Sequence, residues 1–322
     1  MNAIFLKRIM EDRMRSAARS VFVFVAVLAG LCVVAIPAQA QDGKASATVH
    51  SPDSLSEAGA KLANPLGDLW ALNFDLHPLQ FFDGTEVDGG PKYGVGLNFQ
   101  PILPIPLMGS GDDQSKLVTR PVVPIIFSQP VPKGGGDVRQ VSGFGDIQLP
   151  VIYTPSINVT GSNLIIGAGA TALLPTATDS RLGQDQWGLG PAAVIGYKNK
   201  LFTAGIFPNY FWKLASAGQG GKADLSQGTM LYFLTFNLPD AWQVGMNPTI
   251  TYNHNASGGN KWTVPVGLFV GKTVSMGGTP VNIKAGIEYS VVKPDDFGQQ
   301  AMFRIQITPV IKSLITEPLF GK

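Results

Sequence analysis

From about residue 68 onward, apolar and polar residues alternate along the chain with a period of two. The pattern is clearest near the C-terminus. In residues 280–292 the apolar face is formed by Val281, Ile283, Ala285, Ile287, Tyr289 and Val291, and the polar face by Asn282, Lys284, Gly286, Glu288 and Ser290. Residues 241–253 and 300–311 follow the same pattern. A period of two over about ten residues indicates a β-strand with one apolar and one polar face.

Twelve such segments follow one another along the chain. They cover residues 68–80, 93–105, 117–129, 142–154, 162–174, 187–198, 200–212, 227–238, 241–253, 261–272, 280–292 and 300–311. A tilted strand of about 9–11 residues is long enough to cross a bilayer. We therefore predict an all-β fold, a closed antiparallel transmembrane β-barrel of twelve strands over residues 67–312. Because bacterial barrels have even strand numbers, about ten or fourteen strands are the alternatives.

The connections between these segments also alternate. Those at 81–92, 130–141, 175–186, 213–226, 254–260 and 293–299 are mostly longer and rich in Gly, Asp, Ser and Asn. Several of the others are very short, such as Asn199 and Pro239-Asp240. Long outer loops and short periplasmic turns are typical of outer-membrane barrels. The connection at 106–116 departs from this rule, because it is long where a short turn is expected.

The positions of aromatic residues and prolines help to locate the ends of the strands. Aromatic residues near segment ends are Trp70, Tyr93, Trp187, Tyr210, Trp212, Trp242, Tyr252 and Trp262. They are typical of the belts at membrane interfaces, and ordinary packing at sheet rims is the alternative. Prolines inside the segments are Pro101, Pro121, Pro124, Pro191, Pro208, Pro248, Pro265 and Pro309. Since proline removes a ladder hydrogen bond, we expect these positions at bulges or strand ends.

The first 40 residues have the pattern of a cleaved secretory signal peptide. A basic stretch precedes the apolar run 21–36, and Pro37-Ala38-Gln39-Ala40 follows, with cleavage expected after Ala40. A permanent N-terminal anchor helix is the alternative. We expect residues 41–66 to be a flexible N-terminus with one short helix at 54–63, capped by Ser54 with Glu57 three residues later. Residues 313–322 form a predicted C-terminal tail.

Composition narrows the class of protein. Residues 1–40 hold five Lys/Arg and two Asp/Glu, so the mature chain has 19 basic and 20 acidic residues and a net charge of −1. A net charge of −1 does not indicate a nucleic-acid partner, because proteins that bind nucleic acid carry a basic surface. The single cysteine, Cys32, lies in the predicted signal peptide, so the mature chain has no disulfide and no thiolate ligand. Charged residues are only 14 % and apolar ones 45 %, yet no apolar run of about 18 residues follows residue 40. A barrel in the outer membrane reconciles these facts, because its lipid-facing residues alternate.

We find no set of residues that predicts catalysis, a cofactor or a metal, and we expect a protein that is not an enzyme. The three histidines are His50, His77 and His254, and none lies in a hydrolase, zinc or phosphate-binding motif. A hydrolase in a barrel wall needs serine and histidine facing outward together. Acidic pairs at Asp112-Asp113 and Asp295-Asp296 fit either calcium or plain solvation.

Charged residues on the polar face of the strands are the candidate functional residues. By alternation they are Asp75, Arg120, Asp146, Lys284, Glu288 and Arg304, and we predict that they line the pore. A charged Arg or Lys on the lipid face costs about 2–4 kcal/mol at the bilayer midplane. With a hairpin tip at 295–297, Glu288 lies opposite Arg304. Such charges line either an open lumen or a salt-bridged plug.

Apolar residues also fall on the lumen face. They include Phe207, Phe211, Leu231, Phe233 and Phe269. They suit a small hydrophobic or aromatic compound, or alternatively a packed core. The helix at 54–63 either plugs the lumen from the periplasmic side or lies on the membrane surface.

Several phrases resemble a known family. They are Thr119-Arg120-Pro121-Val122-Val123-Pro124-Ile125-Ile126, Gly143-Phe144-Gly145-Asp146-Ile147, Leu174-Pro175-Thr176-Ala177-Thr178 with Trp187-Gly188-Leu189-Gly190-Pro191-Ala192, Trp262-Thr263-Val264-Pro265-Val266-Gly267, and Val291-Val292-Lys293-Pro294. Over about residues 55–312 the chain resembles bacterial proteins labelled "neuromedin U", which are similar to the phenol-degradation (MetA-pathway) outer-membrane barrel family. The resemblance implies an outer-membrane barrel, sometimes called a transporter, and no catalytic residues.

Together these observations favour an outer-membrane channel or transporter for small compounds, hydrophobic or aromatic ones among them. Its expected partners are outer-membrane lipids, the barrel assembly machinery and a small-molecule cargo of unknown identity. A plugged barrel with a structural or surface-interaction role is the first alternative. A barrel-embedded lipid-modifying enzyme that uses His77 is the second.

Overall fold

The fold is seen in a computed structural model, which describes residues 51–110, 113–218 and 222–321. The predicted signal peptide (1–40), its cleavage site after Ala40 and Asp112 of the first acidic pair lie outside the described residues.

Within those ranges the chain forms fifteen strand segments and two α-helices. The strands are β1 (Ala71–Asp83), β2 (Lys92–Ser110), β3 (Asp113–Thr119), β4 (Val123–Gly134), β5 (Asp137–Phe144), β6 (Ile147–Thr154), β7 (Leu164–Leu174), β8 (Gln186–Lys198), β9 (Phe202–Ser216), β10 (Ser226–Asn237), β11 (Trp242–Met246), β12 (Thr249–Asn253), β13 (Trp262–Met276), β14 (Thr279–Val292) and β15 (Gly298–Pro309). The helices are α1 (Pro52–Ala63) and α2 (Ile157–Thr160). Single 3-10 turns lie at Ser180–Leu182, Pro239–Ala241 and Gly258–Asn260.

In three places, two of these segments are the two halves of one interrupted barrel strand. Both β3 and β4 pair with β2, and both β11 and β12 pair with β10 and β13. Likewise β3 pairs with β6 and β4 with β5, so β5 and β6 lie along the same neighbour. The described residues therefore form twelve barrel strands, and each predicted segment corresponds to one of them. The predicted strand number is confirmed.

The sheet closes on itself because β1 is hydrogen-bonded on both sides. Phe74 pairs with Phe99 of β2 and with Ile307 of β15, and every other pairing between barrel strands joins antiparallel neighbours in chain order. Because the first strand pairs with the last, the barrel wall has no edge strand. We call the end that carries the connection 84–91 the upper end, and the end that carries 199–201 the lower end.

The predicted alternation decides which residues face the lumen. On β14, Ile287 and Tyr289 are 57 % and 54 % exposed on the outer wall, whereas Asn282 and Glu288 are 2 % and 7 % exposed inside. Since the outer wall has no protein neighbour, these apolar side chains remain uncovered. The all-β barrel with an apolar exterior is thus confirmed.

Aromatic side chains collect at both ends of the outer wall. Tyr252 and Trp262 contact each other at the upper end with ring centres 4.4 Å apart. At the lower end Lys272 lies over the ring of Trp242, 4.8 Å from its centre. Trp70 does not belong to either group. It is 8 % exposed, and its indole N–H donates to the carbonyl of Pro104 at 2.8 Å.

The prolines follow the expectation only in part. Pro121 and Pro248 lie in the interruptions of the third and ninth barrel strands, and Pro265 lies at a register shift. Pro191 and Pro208 lie inside continuous strands, where they pair with Ala170 and Met230, so the expectation is wrong there. In an antiparallel ladder each residue directs its N–H toward one neighbour, so proline removes a single bond while the rest hold the strand.

The predicted connection at 130–141 is wrong, because both strands extend through it. β4 continues to Gly134 and β5 begins at Asp137, with a tight turn at Gly135 and Gly136. Both glycines have positive φ (65° and 78°), which other residues rarely adopt. Glycines that suggest a loop in sequence therefore form the tip of a long hairpin.

The connection at 106–116 is also mostly strand, because β2 reaches Ser110 and β3 begins at Asp113. Beyond Ile102, which pairs with Ala71, β2 has left β1 and has a free edge. The C-terminal tail covers this edge: the N–H of Phe320 donates to the carbonyl of Leu107 at 2.9 Å. Covering a free edge removes a site of unwanted strand pairing.

Helix α1 begins two residues before the predicted start. Ser51, not Ser54, is the N-cap, and its hydroxyl accepts a hydrogen bond from the Ser54 N–H at 3.3 Å. Pro52 then occupies the first helical position, where its missing N–H needs no partner. No helix in the described part of the chain is long and apolar enough to cross a membrane.

Candidate functional site

A cavity of about 520 Å³ lies inside the barrel. Most of its polar lining is uncharged and consists of Gln80, Asn98, Gln100, Gln129, Gln148, Thr171, Asn209, Thr229, Asn247, Thr249, Thr251, Thr263 and Gln299. The apolar lining includes Leu97, Ile125, Ile126, Phe207, Leu231 and Met302. The cavity extends toward the upper end, where Thr251 and Thr263 lie close to strand ends. It can therefore surround a small molecule with both apolar and hydrogen-bonding groups.

One guanidinium holds two carboxylates at the cavity wall. Arg304 donates from Nε to Oδ1 of Asp75 (3.1 Å) and from Nη2 to Oδ2 (2.5 Å). Its Nη1 donates to the carboxylate of Glu288 and to the carbonyl of Asn247 (3.3 Å). Because Asp75 and Glu288 are only 2 % and 7 % exposed, Arg304 satisfies charges that have little access to water.

The strand register brings this pair together diagonally. Glu288 lies opposite Met302, and Arg304 lies opposite Gly286. The prediction that Glu288 lies directly opposite Arg304 is therefore wrong by two residues. The reason is a hairpin tip that differs from the one assumed at 295–297. Diagonal neighbours remain within reach of long side chains, and the ion pair still forms.

His77 faces the cavity beside this cluster. Its Nε2 lies 3.3 Å from Oδ2 of Asp75, and its side chain is 12 % exposed. A lipid-modifying enzyme in the barrel wall needs this ring on the outer face beside a serine. In the described ranges no serine hydroxyl is hydrogen-bonded to His77.

Arg120 and Lys284 are cations of a different kind. The Nη2 of Arg120 donates to Oε1 of Gln100 at 2.9 Å, and Nζ of Lys284 lies 4.5 Å from the ring centre of Phe269. Among residues 51–110, 113–218 and 222–321, neither cation forms an ion pair with a carboxylate. Asn73 also donates to Gln100 Oε1, at 3.4 Å, which helps to hold that amide in place.

Four of the six predicted pore-lining residues meet at the main cavity: Asp75, Arg120, Glu288 and Arg304. Lys284 lies below them at a void of about 40 Å³, which Arg120 also lines. Asp146 lines neither cavity. The uncharged lining residues, such as Gln100 and Asn247, were not among the residues predicted from the sequence. The alternation of polar and apolar residues also places them on the polar face of the strands, but they carry no charge that would distinguish them from other polar residues.

The lower end of the lumen is filled by the N-terminal segment. A Cβ added to Gly59 of α1 would lie 2.6 Å from Oγ1 of Thr273, on the inner face of β13. After the helix, Asn64 and Leu66 are buried, with Leu66 only 4 % exposed. Leu66 packs in a cluster with the inward-facing residues Val118, Ile152, Ile165, Ala192, Val194, Phe207 and Phe233. The helix and the four residues after it thus close the end of the barrel that has the short connections.

Asp146 holds the upper connection 175–185 by its carboxylate. Oδ1 accepts the N–H of Ala177 at 3.1 Å, and Oδ2 accepts the N–H of Gln184 at 2.5 Å. Within the same connection, hydrogen bonds from Arg181 hold the pKa of Asp179 at about 2, so this pair stays ionised. The carboxylate of Asp146 therefore connects the beginning and the end of the connection 175–185.

Replacing Asp146 by alanine is expected to loosen this loop and leave the barrel intact. Hydrogen bonds to a charged group contribute about 1.5–3 kcal/mol each, so cleavage between residues 175 and 185 by proteinase K should become at least about tenfold faster. Mass spectrometry locates the cut. The control is Asp224→Ala, which removes an exposed partner of Lys213. Equal cleavage of Asp146→Ala and wild type contradicts this role.

The acidic pairs have protein partners. Asp113 accepts the backbone N–H of Asn158 at 3.1 Å, and Asp296 accepts the side-chain amide of Asn260 at 2.6 Å. Within the described ranges, no group of three or more His, Cys, Asp or Glu side chains is placed to hold a metal ion.

Comparisons with known proteins give similarity at the level of solved structures only. No protein-family model and no curated protein sequence matches the chain. A NanC porin is 11 % identical, with a TM-score of 0.43, and the match covers 76 % of this chain and 99 % of that one. A CymD monoaromatic hydrocarbon channel is 10 % identical, with a TM-score of 0.36, covering 81 % of this chain and 93 % of that one. These values are too low to assign a function, and the closed barrel rests on the strand register of this chain.

Proposed function

We propose that the protein is an outer-membrane channel or transporter for small compounds, hydrophobic or aromatic ones among them, and that it is not an enzyme. The observation that carries this proposal is a cavity of about 520 Å³, with both polar and apolar lining, inside a closed barrel. Folding alone does not require such a space, because small barrels can fill their interior with side chains.

The outer wall supports a membrane location. Apolar side chains such as Leu268 and Val270 are 55 % and 50 % exposed on β13, between aromatic residues at both ends of the wall. Water disfavours so many exposed apolar groups, whereas lipid and its interfaces favour this arrangement. Together with the predicted signal peptide, the wall supports export and insertion into the outer membrane.

The cavity supports a small cargo. Its volume lies in the range of about 300–1,000 Å³ that is usual for small-molecule sites. Phe207, Leu231 and Met302 provide apolar contact, while Asn98 and Asn209 provide hydrogen-bonding groups. A compound with an apolar or aromatic body and a few polar atoms fits this lining best. The family that the sequence resembles is named for the degradation of phenol, an aromatic compound of this class.

A plugged barrel with a structural role is the second candidate, because α1 and residues 64–67 fill the lower end. The two functions differ in whether this segment moves. A channel requires that it be displaced during transport.

Solute flux through the barrel tests the proposal. Purified mature protein is reconstituted into liposomes, and flux of small uncharged solutes is followed by swelling. Asn209→Trp adds a ring inside the cavity, whereas Ile206→Trp on the same strand adds one to the outer wall, where Ile206 is 39 % exposed. We expect flux in wild type and Ile206→Trp, and strongly reduced flux in Asn209→Trp.

Two results would count against the channel. One is the absence of flux from folded wild-type protein, which favours the structural barrel. The other is equal flux in the two tryptophan variants, which indicates leakage around the barrel. Heat-modifiable migration on gels shows that each variant is folded.

A further inference from the structure

The charges around the lumen do not cancel. Over the described residues, the three cavities that meet at the cluster are lined by three Lys/Arg side chains and two carboxylates. Asp75 and Glu288 are both engaged by Arg304. The three cavities together therefore carry one positive charge in excess, and Arg120 and Lys284 are the lining cations that form no ion pair in the described part of the chain. A charge with little access to water is costly unless an opposite charge compensates for it.

Arg120 is the cation that the cavity can reach. Asp75 and Glu288 also line the main cavity, but they are almost fully buried and both are bound by Arg304, whereas Arg120 is half-buried. A guanidinium has five N–H donors, and in the described structure a single hydrogen bond joins Arg120 to a neighbour, Gln100. Its remaining donors can form the two parallel hydrogen bonds that a carboxylate accepts.

Lys284 strengthens the positive potential at the same place. It lies at the void of about 40 Å³ that Arg120 also lines, and its ammonium group rests against Phe269 instead of a carboxylate. Apolar residues on the lumen face also line the main cavity, among them Phe207 and Leu231, and Leu231 lines both of the cavities that Arg120 lines. An anion bound here thus meets a guanidinium at one side and apolar groups at the other.

We propose that the bottom of the cavity binds a small organic carboxylate, with the carboxylate on Arg120 and an apolar body toward Phe207 and Leu231. This inference rests on the proposed function, since it names the class of compound that the lumen accepts. Size favours an organic anion over a halide, because a cavity of about 520 Å³ leaves a halide without contact on most sides.

Equilibrium binding tests the proposal independently of transport. Isothermal titration of the folded full-length mature protein in detergent compares sodium benzoate with benzamide, a neutral compound of the same shape, after subtraction of protein-free micelles. We expect benzoate to bind at least about tenfold more tightly than benzamide, because charge-assisted hydrogen bonds form only with the anion. Sodium acetate should bind more weakly than benzoate, because it lacks the apolar body.

Arg120→Met removes the guanidinium and should weaken benzoate binding by about tenfold or more, while benzamide binding changes little. Arg120→Lys keeps the charge without the fork and should recover part of the loss. The control is Arg139→Met, which makes the same change at an exposed residue of β5 that lines none of these cavities. A gel-shift assay of heat-modifiability confirms that each variant folds.

The outcomes are separable from those of the flux experiment. Equal affinity for benzoate and benzamide overturns the anion site, whether or not the barrel conducts. Unchanged benzoate binding in folded Arg120→Met overturns the role of this residue. Acetate that binds as tightly as benzoate overturns the apolar part. Selective binding of benzoate without solute flux would support the site while contradicting the channel.

Discussion

Replacing Arg304 by methionine is expected to destabilise the folded barrel by about 3–5 kcal/mol, because two buried carboxylates lose the cation that forms hydrogen bonds with both of them. Asp75 and Glu288 are 2 % and 7 % exposed, and both receive hydrogen bonds from this one guanidinium. Equilibrium unfolding of the refolded protein in urea, followed by tryptophan fluorescence, measures the difference.

A charge-free version of the cluster is the matched control. In Asp75→Asn/Glu288→Gln/Arg304→Met all three charges are absent, so no carboxylate remains uncompensated. We expect this variant to be more stable than Arg304→Met alone, because removing one member of a buried ion pair is worse than removing all of them. If the single and triple variants unfold at the same urea concentration, the cluster does not act as one electrostatic unit.

Shortening Leu66 to alanine is expected to raise the open probability of the channel by about tenfold or more. Leu66 anchors the N-terminal segment in the lower end of the lumen, where it is 4 % exposed among apolar residues. Loss of a buried leucine side chain costs about 2–5 kcal/mol, and this cost falls on the closed state, in which the side chain is docked. Single-channel recording in planar bilayers measures the open probability.

The control for Leu66→Ala is Leu225→Ala. Leu225 is buried to the same degree, at 3 % exposure, in a separate cluster with Leu173 and Phe211. It should lower stability without changing gating. Equal open probabilities in Leu66→Ala and wild type contradict a closing role for the segment.

A disulfide can test the same movement in the opposite direction. The two positions are in direct contact, since a Cβ at Gly59 would lie 2.6 Å from Oγ1 of Thr273, so after a small shift of α1 a disulfide can join them in Gly59→Cys/Thr273→Cys. Cys32, the single cysteine of the chain, lies in the predicted signal peptide, so the mature protein offers no competing thiol. We expect the oxidised variant to stay closed and the reduced variant to open. Equal current before and after reduction means that α1 does not gate the lumen.

Much of the candidate site is visible in the sequence, because alternation alone assigns a side chain to the lumen. It identifies Asp75, Arg120, Glu288 and Arg304, which meet at the main cavity. Alternation does not show which cation forms an ion pair with which carboxylate. Arg304 bonds Asp75, a residue 229 positions away, because closure of the barrel makes β15 a neighbour of β1. No local pattern carries this information.

The N-terminal segment shows the same division. A helix near residues 54–63 follows from local signals, and the structure has one at Pro52–Ala63. Whether it enters the lumen or lies on the membrane is decided by contacts with distant strands. Gly59 fits against Thr273 only because β13 presents that side chain inward at the lower end.

By itself, the sequence determined the all-β class, the twelve barrel strands and the face on which each charge lies, because these follow from a period of two that local residues carry. Only the tertiary structure decided how far the strands extend at 106–116 and 130–141, which prolines interrupt a strand, which cation neutralises which carboxylate, and how α1 closes the lower end. These features depend on register and on contacts between residues far apart in the chain, and their energies are set by burial that appears only when the barrel closes.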